Sequence, residues 1–464
     1  MKTYSTLFVI LCSVALSANA QPDQALTREI FKELIEINTT NSTGNSTRAA
    51  EAMAVRLKAA GFTDKDIFIG GPNEKSGNLV ATLKGSGKRK PLLLLAHLDV
   101  VEALREDWTT DPFKFEEIDG FYYARGSRDD KAMAAIFIAN VIRMKREKFV
   151  PDRDIIVALT DDEEGGDSNG VAWLLANHKD LINAQYALNE GGGGQEIDGK
   201  KVLNAVQLSE KVFQSFKLVV KNRGGHSSQP RRDNAIYRLA HALDNLARYD
   251  FPVNLNDGTR VYFERTSTLE SGQLAADMKS IISTSPDPEA VKRLSVYPNY
   301  NATLRTTCVA TMISGGHAEN ALPQTATATV NCRILPGEDP AKIKQTLISV
   351  FGDSTITVTA MNPAKISPPS PIDAEVFGPV ERITKQMWSI PVVPTMSTGA
   401  TDGAYLRNAG IPTYGVSGLF ADITDVRAHG RDERIGVKSF YEGQEFLYQL
   451  VKELSSPTRV DRKK

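Results

Sequence analysis

At 464 residues, with 41% hydrophobic and 24% charged content, the chain has the composition of a soluble globular protein and is long enough for two or three domains. A formal net charge of −1 gives no electrostatic case for nucleic acid or an anionic membrane surface. Thirty-four glycines and 22 prolines, widely spread, indicate many loops and no low-complexity tract.

The chain opens with "MKTYSTLFVILCSVALSANAQPD": one early lysine, an apolar core from Leu7 to Leu16, and small residues at Ala18 and Ala20. This is the layout of a secretory signal peptide over residues 1–20, cleaved near Ala20. The apolar core is far short of the ~20 residues that span a bilayer. The mature chain is therefore expected to be secreted or periplasmic, with no membrane segment. Cys12 lies inside the apolar core rather than just after it, which argues against a lipoprotein. Cleavage leaves Cys308 and Cys332, in the strand-like segments "TTCVATMI" and "ATATVNCRIL". Export permits a disulfide between them, but two cysteines make no framework, and two buried free thiols are the expectation.

From Gln21 onward, helical and strand-like stretches alternate. "ALTREIFKELIEI" and "TRAAEAMAVRLKAAGF" carry apolar residues at helical spacing. "NLVATLKG", "PLLLLAHLDV" and "RDIIVALT" read as strands, the last two apolar enough to be buried on both faces. "DDKAMAAIFIANVIRMKRE" and "GVAWLLANHKDLI" read as helices. Such alternation predicts an α/β fold in three layers, α/β/α, around a largely parallel sheet. Beyond Ser209 the pattern changes to strand "VFQSFKLVVKN" and helix "DNAIYRLAHALDNLARY", then a long irregular stretch. Paired strands near 303–313 and 325–335, helix "DPAKIKQTLISVF" and strand "TITVTAM" follow. That order is the split βαβ, ferredoxin-like pattern of an α+β module. "NPAKISPPSPID" reads as a Pro-rich linker, and "PVERITKQMWSI" and "EGQEFLYQLVKEL" as late helices. The sequence thus predicts one catalytic domain in two segments, 21–209 and 361–464, interrupted by a smaller domain at 210–360.

Of six histidines, His178 and His241 sit in helical stretches without acidic or glycine-rich surroundings and read as structural. The others lie beside acids or turn residues, in "AHLDVV", "GGHSSQP", "GGHAENALP" and "AHGRDERIG". His97 ends an apolar strand, with Asp99 on the same side of an extended chain. "RGSRDDK" brings adjacent acids to a helix start, where aspartate also serves as a cap. "LTDDEEGG" puts four acids at the end of a buried strand, where open α/β sheets bind ligands. "ALNEGGGG" repeats the arrangement with Glu190, and His429 comes late. Histidine and carboxylate ligands without thiols suit zinc, or else cobalt or manganese. Five ligands exceed one catalytic zinc site and suit two metals ~3.5–4 Å apart. A calcium reading is weaker, because "DDEEGGDSNG" lacks the alternating oxygen ligands of an EF-hand.

In order and residue content these motifs resemble the two-zinc family of aminoacylase and glutamate carboxypeptidase, which includes acetylornithine deacetylase and succinyl-diaminopimelate desuccinylase. "HLDVV" is similar to H-x-D-x-V, "RGSRDDK" to R-G-x-x-D-x-K, and "DEEGG" to the paired-glutamate motif; "NEGG", "GGHSSQP" and "AHGRDERI" follow in order. The resemblance covers nearly all of the mature chain. It implies two Zn2+ per chain, with His97 and Glu190 on one, Glu164 and His429 on the other, and Asp129 bridging. It makes Glu163 the general base and Asp99 the residue that orients His97. It makes 210–360 a lid and dimerisation domain. There, His226 would reach a partner subunit's site to stabilise the oxyanion, and Asn320 and Arg333 would hold the substrate, Arg333 through a free carboxylate. "STGATDGAYL", 397–406, is similar to a substrate-pocket loop, and His317 matches no role.

The expected function is an exported zinc carboxypeptidase or dipeptidase. An aminoacylase acting on N-acyl amino acids is the alternative, with a possible homodimer through the lid in either case. A catalytically inactive binding relative would lack Glu163 or a ligand, and all are present. Two departures stand out: Arg128 before the bridging acid, and a long segment at roughly 262–302.

Overall fold

Strands Leu92–His97, Ile155–Thr160 and Tyr186–Asn189 are buried at every position. Since successive strand residues point to opposite faces, both faces of the sheet they form must be covered. In the computed structural model, which describes residues 23–165 and 167–457, they lie side by side. The sheet order is 67–70, 78–83, 155–160, 92–97, 186–189, 413–415, 200–210, 194–197, 420–422. The four strands from 155–160 to 413–415 are parallel, and the pairings 67–70 with 78–83 and 78–83 with 155–160 are antiparallel. The predicted signal peptide lies outside the described residues.

Helices supply the cover. Ser46–Ala59 starts at Asn45, whose side chain accepts from the Arg48 N–H, and carries Arg56 and Lys58 in its last turn. It packs on Asn78–Leu83, while Lys131–Arg146 packs on Leu92–His97 and on the C-terminal helix Val437–Leu454. The stretch "GVAWLLANHKDLI" is not one helix: Gly170–Asn177 ends before His178, and a single 3-10 turn, Lys179–Leu181, follows. The His178 ring lies 4.6 Å from that of Phe68 and 5.0 Å from that of Trp173, a structural role.

The chain forms two units. One comprises the residues up to Val206 with Ile372–Val392 and Ala409–Lys464; the other comprises Gln207–Pro371 and Val393–Asn408. The sequence reading keeps 361–464 together, whereas Val393–Asn408 belongs to the second unit.

In that second unit the sheet runs Thr307–Gly315, Thr325–Ile334, Val212–Lys221, Thr357–Ala360, all antiparallel. By chain order this is second, third, first, fourth, the ferredoxin-like arrangement. Thr325–Ile334 alternates, with Ala326, Ala328, Val330, Cys332 and Ile334 buried. They join Leu239, Leu246, Leu347 and Phe351 of helices Ala235–Ala247 and Pro340–Phe351 in one apolar cluster.

Two expectations are corrected here. Cys308 and Cys332 are directly opposite in the register, with Cα atoms 4.1 Å apart, and form a disulfide rather than two free thiols. Cross-strand register decides this, and composition carries no register. The long irregular stretch contains helices Asp257–Thr266, Gly272–Ile281, Pro288–Ser295 and Pro298–Leu304. Phe263, Met278, Ile281, Ala290, Leu294, Tyr300 and Leu304 make a small core of their own. Helices this short hold too few apolar repeats for periodicity to register.

Candidate metal centre

The three adjacent parallel strands deliver chemistry at their carboxyl ends. His97 is the last residue of Leu92–His97, opposite Thr160 in the register. Asp161 to Glu164 follow Ile155–Thr160, and Glu190 follows Tyr186–Asn189. Sheet topology thus converges sites 93 residues apart in sequence, His97 to Glu190, at one strand-end crevice. Asp129 arrives on the loop that enters helix Lys131–Arg146, and His429 on the loop after Phe420–Asp422.

Their side chains meet. His97 Nε2 lies 2.9 Å from Asp129 Oδ1, and His429 Nε2 lies 2.9 Å from Glu164 Oε1 and 3.2 Å from Asp129 Oδ2. Asp129 therefore faces both histidines, one per oxygen. Two sets have ligand atoms all within 4.8 Å of one another: His97, Asp129 and Glu164, and His97, Glu163 and Glu190. Glu163, read from the sequence as a base, thus stands with His97 and Glu190 at ligand distance. His97 Nδ1 is 2.9 Å from the Asp99 backbone carbonyl and 3.5 Å from its Oδ1. The Asp99 carboxylate accepts from the Glu164 N–H at 2.9 Å, so it also holds the paired-glutamate turn.

The electrostatics are those of crowded acids short of positive charge. Burial, then the neighbouring Asp129, pushes Glu164 up to about 7 and Glu190 well above the usual carboxylate range. Burial acts against charge on His97, but Asp129 and Asp99 outweigh it and hold the imidazole well above its ordinary value. The hydrogen bond to Asp129, more than burial opposes it, lifts His429 to about 9. Burial works against Asp129 too, yet both histidines hold it below the usual carboxylate range. A donor set of two imidazoles and at least three converging carboxylates, with surplus negative charge, fits divalent cations.

The other acids of the run differ. Asp161 is 7% exposed, accepts from the Ser46 hydroxyl, and receives Gly170 N–H on its carbonyl. Burial pushes its carboxyl up to about 6. Asp162, at φ 65°, accepts from Ser168 N–H and from Asn41. Both shape the turn that presents Glu163 and Glu164.

The substrate residues predicted from the sequence lie in the second unit. His226 is exposed in the two-residue strand Gly225–His226, paired with Ala321–Leu322, and Ser227 N–H donates to the Asn320 carbonyl at 3.0 Å. His226 and Asn320 therefore share one short ribbon. Arg333 lies on Thr325–Ile334 with its guanidinium 4.8 Å from the Phe213 ring centre, and Nη1 donates to the Thr398 carbonyl at 3.2 Å. That bond places it against the 397–406 loop. His241 and His317 are exposed.

Sequence reasoning missed Glu433. Fully buried, it accepts from Arg125 Nη1 at 2.7 Å and from the backbone N–H groups of Gly126, Arg128 and Asp129. It stands inside the quoted "AHGRDERI", but only the fold reveals what it touches.

Known proteins resemble this chain along most of its length. Residues 93–453 match the model of peptidase family M20/M25/M40. The human N-fatty-acyl-amino acid synthase/hydrolase PM20D1 is 28% identical over 455 residues, 93% of this chain and 88% of that protein. The probable carboxypeptidase S-like 2 of Dictyostelium discoideum is 29% identical over 81% of this chain and 74% of that protein. The crystal structure of an M20 family metallo-carboxypeptidase from Sulfolobus solfataricus superimposes with a TM-score of 0.68 at 17% identity, over 92% of this chain and 99% of that one.

Proposed function

The chain belongs to peptidase family M20/M25/M40 and is a hydrolase of C–N bonds, and from that premise we propose an exported two-zinc enzyme that cleaves an amide bond next to a free carboxylate, as a carboxypeptidase or dipeptidase. The observation that carries the reading is the convergence at three adjacent strand ends: His97 meets Asp129 and Glu164 in one cluster and Glu163 and Glu190 in another, and His429 reaches Asp129 and Glu164.

One metal would be held by His97, Asp129 and Glu190 and the other by Asp129, Glu164 and His429. Metal bound there supplies Lewis-acid polarisation of the scissile carbonyl and draws the pKa of water toward ~7. Glu163 takes the proton of the attacking water as its oxygen bonds to the carbonyl carbon. The same carboxyl then returns that proton to the leaving nitrogen as the C–N bond breaks. Asp99 fixes the His97 ring through Nδ1 and the glutamate turn through the Glu164 N–H. His226 is read as the oxyanion donor, delivered to a partner subunit's site, and Asn320 and Arg333 as the grip on the substrate.

A homodimer through the second unit is part of the proposal. Its support is the edge strand Thr307–Gly315, which leaves Val309, Met312 and Ile313 exposed. Export rests on the N-terminal sequence and accords with the Cys308–Cys332 disulfide. Among the described residues no helix is long and apolar enough to cross a membrane.

A second reading, hydrolysis of N-acyl amino acids, is favoured by the similarity to the human acyl-amino acid enzyme over nearly the whole chain. A panel of dipeptides and N-acyl amino acids, each with free and amidated carboxyl ends and with zinc supplied, tests both. Turnover of free-acid substrates that collapses on amidation is expected. Equal turnover of the amidated set would contradict the carboxylate requirement.

A further inference from the structure

We propose that the buried Glu433–Arg125 pair is the positioning device that holds Asp129 and His429 in metal-binding register, and so sets the affinity of the centre for its second metal ion. The inference rests on the two-metal reading above.

Glu433 is 0% exposed and its two oxygens accept from four donors. Oε2 takes Arg125 Nη1 at 2.7 Å and Gly126 N–H at 3.1 Å. Oε1 takes Arg128 N–H at 2.7 Å and Asp129 N–H at 3.1 Å. One carboxylate thus grips the backbone of the loop up to and including the bridging acid. The other arm of the arginine, Nη2, donates to the carbonyl of Gly430, the residue after His429, at 2.9 Å. The pair is a two-ended clamp, with Asp129 at one end and the His429 turn at the other.

The surroundings leave it little freedom. Arg125 lies 5.0 Å from the Trp108 ring centre. The neighbouring Asp432 accepts from Thr109 N–H at 2.8 Å and from its hydroxyl at 2.9 Å. Ala124 N–H donates to the Glu433 carbonyl at 3.1 Å, and Arg434–Gly436 continues as a strand against Phe121–Tyr123. His429 itself holds φ 61°, a left-handed conformation uncommon outside glycine. The described contacts of the Glu433 carboxylate are Arg125 and backbone N–H groups, not the ligand side chains, so its role is positioning. Outer partners of this kind are typically worth ~10–100-fold in metal affinity. The second ion, which depends on both Asp129 and His429, feels both ends of the clamp.

The test is zinc affinity by competition with a chelating dye, measured on the full chain and on Glu433→Gln and Arg125→Lys. Glutamine keeps the size but turns an NH2 group toward N–H donors, and lysine keeps the charge but lacks the fork that spans Glu433 and Gly430. Arg153→Lys serves as the control. Arg153 is a fully buried arginine bonded to Glu375 at 2.7 Å, just before the amino end of Ile155–Thr160 and so away from the strand ends that carry the site.

The expected result is two tight zinc ions in the unaltered chain and a ~10–100-fold loss at the weaker one in both clamp variants. That loss should exceed any in Arg153→Lys at a comparable fall in melting temperature. Clamp variants with unaltered zinc affinity, or no weaker than the control, overturn the proposal while leaving the two-metal reading intact. If Glu433→Gln does not fold, Arg125→Lys decides by the same criterion. An unaltered chain that binds no zinc overturns the parent reading and this inference with it.

Discussion

Asp161, Asp162, Glu163 and Glu164 are chemically alike and adjacent, yet the fold gives them different neighbours. Glu164 reaches His429, Glu163 stands with His97 and Glu190, Asp161 receives a serine hydroxyl, and Asp162 closes a turn. Replacing Glu163 by glutamine is expected to cut kcat by ~10²–10⁴-fold, the usual contribution of a general base, while bound zinc stays at the unaltered level. Lost metal with lost activity would instead make Glu163 a ligand, as its place beside His97 and Glu190 allows.

Asp161 makes a separate prediction. Burial raises its carboxyl from 3.8 to about 6, so between those values the folded chain holds a proton that the unfolded chain releases. Its stabilising contribution is full below about 3.8 and is lost as pH rises through about 6. Asp161→Asn cannot lose that proton. Its stability relative to the unaltered chain should therefore rise between pH 4 and pH 6 in denaturant titrations, and a pH-independent difference would contradict the assignment. The motifs made Glu163 and Glu164 legible in the sequence. The proton on Asp161 was not, because burial depth is set by Ser46 and by the helix it begins, more than a hundred residues earlier.

At the scale of elements, the apolar strands of the first unit were legible because burial on both faces leaves a continuous apolar run, as in "LLLLAH" and "IIVAL". The four short helices between Asp257 and Leu304 were not, since each offers at most ten residues of pattern. Register was also hidden, and with it the disulfide. Cys308 and Cys332 are 24 residues apart, and closing a loop of that size restrains the unfolded chain by about 3 kcal/mol. Reduction, or Cys332→Ser, should lower the stability of the second unit by roughly that amount in denaturant titrations. No shift in midpoint with reductant would show that the bond is not formed in solution.

At the scale of the whole molecule, two unlike patterns share one chain. The first unit is a buried mixed sheet that gathers His97, Glu163, Glu164 and Glu190 at the carboxyl ends of its parallel strands, and the second is an antiparallel sheet with helices on one face. The alternation of helix and strand distinguished them in the sequence, and the motifs pointed to the histidines and carboxylates that the fold brings together. The clamp of Glu433 and Arg125 was out of reach, because those residues lie 308 positions apart and meet only through the fold. The claim that binds both scales is that hydrolysis needs two metal ions held by these side chains. It is tested most directly by removing metal with a chelator and titrating zinc back while following hydrolysis of a substrate with a free carboxylate. Activity absent without zinc, and rising until two equivalents per chain are bound, is the predicted result. Full activity in the metal-free chain, or saturation at one equivalent, would contradict it.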